Sequence, residues 1–216
     1  MALPTAGGLD APRTSGHAPR VSDPSDLLRL ARAFDAAARA HGAQRRKITG
    51  EPYLAHLAEV AAWVAEAGAA EGWGSADAIV AALLHDAVED TDTTLGMIAA
   101  EFGAPVAEIV RPLTDEPGWD ALGIAGHKAL QAEAMAAAPE DARRVKIADQ
   151  TSNCLHRATT VAQRRPDEVA AYLAGARTVV EPCRGASPAL EARFDIAAGA
   201  LERALATVYA MGEEDA

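Results

Sequence analysis

The run Ala82-Leu83-Leu84-His85-Asp86-Ala87-Val88-Glu89-Asp90-Thr91 constrains this chain more than any other stretch. The residues leading into it, Ala78 to Leu84, are apolar nearly all round, as befits a helix that passes through a core instead of lying on a surface. Residues three and four apart share a helix face, so His85 is expected above Glu89, and Asp86 above both Glu89 and Asp90. Four polar side chains then converge where a buried helix ends. Charges in such a low-dielectric place are costly unless they are paired or bind a cation, and a cation is the leading explanation.

Composition favours an all-α fold around that helix. Half of the 216 residues are hydrophobic, enough for one sizeable core, while aromatic residues make up only 4% and alanine is abundant. Such a chain packs helices through small side chains more readily than it builds a β-sandwich. Its 31 acidic and 20 basic residues leave a net charge of −11, which argues against general nucleic-acid or anionic-membrane binding. An anionic ligand would need a metal or a local basic patch. Cys154 and Cys183 form no CxxC pattern, and no run resembles a secretory signal or a membrane span, so a cytoplasmic setting with inert thiols is expected.

Residues 1–23, rich in Gly, Pro, Ser and Thr, are expected to form a disordered lead-in, followed by one domain over 24–212 and an acidic tail over 213–216. Helices are expected from Ser25-Asp26 to His41, from Pro52 through Val64, and from Ala76 to Glu89. Shorter ones follow from Thr93 or Thr94 to Phe102 and from Pro105 to Leu113. The remainder reads as helices over Ala125–Ala138, Glu140–Leu155, Pro166–Cys183 and Pro188–Met211, with no strand and no internal repeat. The loop from Ala43 to Tyr53 carries Arg45-Arg46-Lys47, three consecutive cations just ahead of His56. The acidic segment Thr114 to Gly123 reads as a loop able to lie over a site. In the later stretch Val145 to Asn153, the side chains of Lys146, Asp149 and Asn153 share a helix face.

Taken together, Arg46-Lys47, Gly50-x-Pro52-Tyr53-x-x-His56, the Ala82–Thr91 run, Phe102-Gly103, Lys128-x-x-Gln131 and Val145-Lys146-Ile147-Ala148-Asp149-x-x-x-Asn153 resemble the hydrolase domain of the RelA/SpoT family. That domain belongs to the HD superfamily of metal-dependent phosphohydrolases, and the likeness spans about Leu27 to Tyr172. It implies an HD-domain helical bundle. With no room for synthetase and regulatory domains, the chain is similar to a stand-alone small alarmone hydrolase. The resemblance makes His56, His85, Asp86 and Asp149 ligands of one Mn²⁺ ion and Glu89 and Asp90 the catalytic carboxylates. It gives Arg46, Lys47, Lys146, Asn153 and Tyr172 to substrate binding. The implied reaction releases pyrophosphate from the 3′ position of guanosine tetra- or pentaphosphate.

Three positions depart from the family pattern. His56 is followed by Leu57-Ala58 where Pro-Leu or Pro-Ile is usual, and one extra residue separates Lys47 from Gly50. Glu168 stands one turn before Tyr172, where the family tends to have a basic residue; an acid beside a polyphosphate is repulsive, and Arg164 or Arg165 would have to compensate. Two alternatives stay open: another nucleotide substrate, such as the 2′-phosphate of NADPH, or a non-catalytic module that binds the alarmone. Lys128 and Gln131 read equally well as helix-surface residues, and His41, His127 and His156 as structural ones. A homo-oligomer is also open.

Overall fold

Small polar residues, glycine and proline set the helix ends. In the computed structural model, which describes residues 23–214, Asp23 accepts a hydrogen bond from the Ser25 N–H, and Pro24 opens α1 (Pro24–Ala40). The expected lead-in lies outside the described residues except for Asp23, which is this helix cap. Helix α2 (Tyr53–Glu71) ends at Gly72, whose φ of 79° suits a residue without Cβ. Ser75 caps α3 (Ala76–Leu84) by accepting from the Ala78 N–H at 3.0 Å. Thr94 likewise caps α5 (Leu95–Phe102), which follows α4 (Ala87–Asp90).

The expected single helix from Ala76 to Glu89 is therefore two helices, broken at His85-Asp86. The reason is local. His85 Nδ1 lies 2.8 Å from the Ala82 carbonyl, which the Asp86 N–H would take in an unbroken helix. Asp86 then sits at φ −96°, ψ −1°, and the ladder resumes with the Asp90 N–H donating to the Asp86 carbonyl.

Beyond α6 (Ala104–Val110), a 3₁₀ turn at Arg111–Leu113 leads into the acidic loop, which contains a second turn at Trp119–Leu122. Helices α7 (Gly123–Ala136), α8 (Glu140–Thr159), α9 (Pro166–Val180) and α10 (Pro188–Glu214) complete the bundle. The last helix carries on through Glu213 and Glu214, so the expected acidic tail begins as helix. Among the described residues there is no strand, only an isolated antiparallel bridge between Arg45 and Pro52.

Helix α8 threads the middle, packed against α10, α2, α9 and α3. Leu57, Ile98, Leu113, Met135, Ile147, Leu190, Phe194 and Leu201 are fully buried around it, each contributing roughly 1.5–3 kcal/mol of transfer free energy. Ala78, Ala81, Ala82 and Ala148 are equally buried and let backbones approach closely. As expected for a core helix, α3 hides almost its whole surface. Where α2, α3 and α8 meet, the core turns polar.

Candidate metal centre

Three helices supply the polar residues at that meeting point. The first turn of α2 brings His56, the end of α3 brings His85 and Asp86, and mid-α8 brings Asp149. Both imidazoles are buried. His85 Nε2 lies 3.1 Å from Asp86 Oδ2 and 3.8 Å from Asp149 Oδ1; His56 Nε2 lies 3.7 and 3.5 Å from the same atoms. Neither Nε2 has a hydrogen-bond partner, although each is shielded from water. Two orphaned nitrogens facing two carboxylates is an arrangement that a divalent cation satisfies. Ligand atoms of His56, His85 and Asp86 all lie within 4.8 Å of one another.

Neighbouring groups orient these four. His85 Nδ1–H donates to the Ala82 carbonyl, which leaves Nε2 as the lone-pair nitrogen. For His56 to do the same, Nδ1–H donates to Ser152 Oγ at 2.8 Å, and Ser152 donates onward to Glu59 Oε2 at 2.6 Å. The Tyr53 hydroxyl donates to Asp86 Oδ2 at 2.6 Å, and Asn153 Nδ2 to Asp149 Oδ1 at 2.6 Å. Burial, then the Asp86 charge, raises the Tyr53 phenol, so it stays a proton donor. Burial alone would raise Asp86 and Asp149; the imidazoles beside both, with Lys146 near Asp149, hold these carboxyls below the usual range.

Glu89 and Asp90 occupy the rim, apart from the quartet, of which Asp86 alone is only partly buried. The break after Leu84 reorients the second half of the expected helix, so the four polar residues of the run do not form one cluster. Glu89 Oε2 accepts from the Asp115 N–H at 3.3 Å, and Asp90 Oδ2 accepts from Gln44 Nε2 at 2.8 Å. Partial burial, then the Asp115 and Asp86 charges, push Glu89 up to about 7. Asp115 comes from the acidic loop, which thus reaches the site as its composition suggested.

The expected substrate contacts divide. Arg46 is half-buried, donating to Asn153 Oδ1 at 3.2 Å and Ser152 Oγ at 3.3 Å, with Nη2 also 2.8 Å from His56 Nδ1. Lys47 is exposed, and its carbonyl accepts from His156. Lys146 is buried, 3.8 Å from Asp149 Oδ2. Tyr172 is also buried, its hydroxyl 3.3 Å from Gln150 Oε1. Lys128 and Gln131 are not surface residues: Lys128 donates to Gln131 and Gln150, and Gln131 donates to Asp115. Burial and Lys146 lower Lys128 to about 8. Sequence reasoning gave no role to Ser152, Glu59, Asp115 or Gln150. The first two were within reach, since Ser152 stands three residues after Asp149 and Glu59 three after His56, spacings that share a helix face.

The family model for the HD domain matches residues 33–173. Human guanosine-3′,5′-bis(diphosphate) 3′-pyrophosphohydrolase MESH1 is 37% identical over 174 residues, 77% of this chain and 91% of that protein. The Aquifex aeolicus guanosine-3′,5′-bis(diphosphate) 3′-pyrophosphohydrolase is 38% identical over 136 residues; the match spans 60% of this chain but only 18% of the longer protein. The solved structure of a metazoan orthologue of SpoT, described as hydrolysing ppGpp, aligns with a TM-score of 0.67 at 30% identity, covering 78% of this chain and 93% of that one.

Proposed function

The chain belongs to the HD-domain family, and on that premise we propose that it removes the 3′-diphosphate of guanosine 3′,5′-bis(diphosphate) or its 5′-triphosphate relative. The observation that carries the chemistry is the pair of buried, partnerless Nε2 atoms of His56 and His85 facing Asp86 and Asp149. The substrate rests on the names of the relatives. Two imidazoles and two carboxylates suit a first-row divalent ion, and with half the donors carboxylate oxygens Mn²⁺ is the choice here. Such an ion supplies Lewis-acid charge and acidifies water at neutral pH.

The chain's own residues do the remainder. Water adds across the bond between the ribose 3′ oxygen and the adjacent phosphorus: the phosphorus gains the hydroxyl, the 3′ oxygen leaves with a proton, and pyrophosphate is released. Glu89, at about 7, is placed to take and return that proton near neutrality, with Asp90 beside it at the rim. Arg46 and Asn153 hold the nucleotide next to the quartet, and Lys146 adds positive charge from below. Free, buried Cys154 and Cys183 fit a cytoplasmic enzyme, and among the described residues no helix is long and apolar enough to cross a membrane. Neither nucleic acid nor membrane is a proposed partner.

Product analysis tests the reading. Mn²⁺-loaded protein is expected to release pyrophosphate from guanosine 3′,5′-bis(diphosphate), and Asp86→Ala to abolish it. Orthophosphate from NADPH alone would move the substrate while keeping the metal centre. Binding of the alarmone without turnover would leave a sensor module instead of an enzyme.

A further inference from the structure

Helix α8 carries a line of polar residues outward from the metal centre. Asp149, Asn153 and Arg157 follow at four-residue spacing on one face, so Arg157 stands about 12 Å along the axis from Asp149. The central carbon of the half-buried Arg157 guanidinium lies 3.4 Å from the centroid of the Tyr172 ring, a cation–π contact that restrains it. Tyr172 is itself held, buried and bonded to Gln150. The ring at the expected pocket position therefore serves as a platform for an arginine.

Arg164 joins Arg157 from the turn before α9, its Nε donating to Thr160 Oγ1 at 3.0 Å. Neither arginine has a carboxylate within ion-pair distance among the described residues, in a chain with 31 acids to 20 bases. Arg29, Arg144, Arg177 and Arg184 pair with acids, and although Arg32, Arg45, Arg46, Arg143 and Arg203 have no ion pair among the described residues either, Arg157 and Arg164 differ in lying close enough to repel each other. Burial and then Arg157 hold Arg164 below its ordinary value, and burial together with Arg46, Arg164 and Arg157 lowers His156. Like charges crowded in a half-buried place are unfavourable until an anion arrives. The acid at position 168 offsets them only in part: its charge favours the Arg164 cation less than burial and Arg157 oppose it, and Glu168 is exposed and lies 3.7 Å from Arg165, which also pairs with Asp167.

Resting on the hydrolase reading, we propose that Arg157, held against Tyr172, and Arg164 form a phosphate subsite for the 5′-diphosphate of the nucleotide whose 3′ end lies at the metal centre. It restores, from α8 and the turn before α9, the positive charge that Glu168 lacks. A planar fork held rigid suits the paired oxygens of a phosphate chain.

Guanosine 5′-diphosphate is the probe, because its binding needs no turnover. Calorimetry on the full chain is expected to show Arg157→Ala weakening this ligand roughly tenfold or more and Arg164→Ala weakening it less, while guanosine binding is unchanged. Arg157→Lys, which keeps the charge and the fold but loses the planar stack, should fall between. Equal loss of guanosine and its diphosphate would mean that Arg157 stacks on the base and would overturn the subsite, as would diphosphate binding that is unchanged in Arg157→Ala or undetectable in wild type. An inactive protein whose diphosphate binding depends on Arg157 would sink the hydrolase reading alone; an active one indifferent to Arg157 would sink the subsite alone.

Discussion

Single side chains around the quartet act through the proton each holds. Ser152 is the clearest case, because it donates to Glu59 and can accept from His56 Nδ1, the arrangement that leaves Nε2 as the lone-pair nitrogen, whereas Arg46 Nη2, also 2.8 Å from Nδ1, can only donate and favours the other tautomer. Removing such an outer partner typically weakens a metal roughly 10- to 100-fold. Ser152→Ala should therefore bind Mn²⁺ that much more weakly by calorimetric titration, with helical content unchanged; wild-type affinity would show that the His56 tautomer is set without it. Ile48 illustrates a cost at the same scale. It sits at φ 81°, unfavourable for a β-branched residue, in the loop between Lys47 and Gly50, and it is 43% exposed. Ile48→Gly is expected to stabilise the protein by about 0.5–1 kcal/mol in urea unfolding, since little packing is lost and the strain is relieved. A loss of stability would mean that Ile48 is held by contacts worth more than its strain.

Between elements, Gly175 sets how closely α9 approaches α7. A Cβ there would come within 2.5 Å of Lys128 Cγ and 2.9 Å of Lys128 Cβ, atoms near the stem of a buried side chain that have nowhere to go. In a free helix Gly→Ala gains about 1 kcal/mol. Here Gly175→Ala should instead cost roughly 1–3 kcal/mol through overpacking, read from the urea midpoint, and a gain would show that Lys128 can shift freely. The same helices show what the sequence could and could not say. Helix α3 was legible because an unbroken apolar run has one use in a globular chain. Helix α8 was harder: Lys146, Gln150, Thr151 and Ser152 are as buried as its apolar residues, yet polar residues in a row read as a solvated face until their partners are known. The break at His85-Asp86 was hidden for a related reason, since periodicity carries no sign of a side chain competing for the Ala82 carbonyl. That His56, His85, Asp86 and Asp149 come together was nevertheless foreshadowed by spacing and resemblance, while the places of Asp115 and Arg157 depend on tertiary packing that no local pattern reports.

For the whole molecule, the proposed metal centre would make folding, proton binding and metal binding meet at the same atoms. Burial alone would lower His85, but Asp86 and Asp149 outweigh it and push it up to about 10, from an ordinary 6.5. In the metal-free protein that proton stabilises the fold fully below 6.5, and the contribution is lost as pH rises through about 10. A divalent ion needs the same nitrogen unprotonated, so it competes with the proton and gains up to about tenfold in affinity per pH unit across that window, about 1.4 kcal/mol. At a free concentration of about 100 times Kd, metal adds about 2.7 kcal/mol to stability, or roughly 5 to 11 °C in Tm for a chain of this size. Differential scanning calorimetry should therefore show Mn²⁺ raising Tm, a chelator reversing the rise, and Asp86→Ala removing it. The rise at fixed Mn²⁺ should also grow from about pH 6.5 to about pH 8.5, because the proton that the metal displaces from His85 is released into solvent of ever lower proton activity. A rise independent of pH would separate His85 from the metal while leaving the other three ligands. No rise at any pH would return the imidazoles to the core, with His85 held as the charged partner of Asp86 and Asp149 and the His56 Nε2 left without a partner.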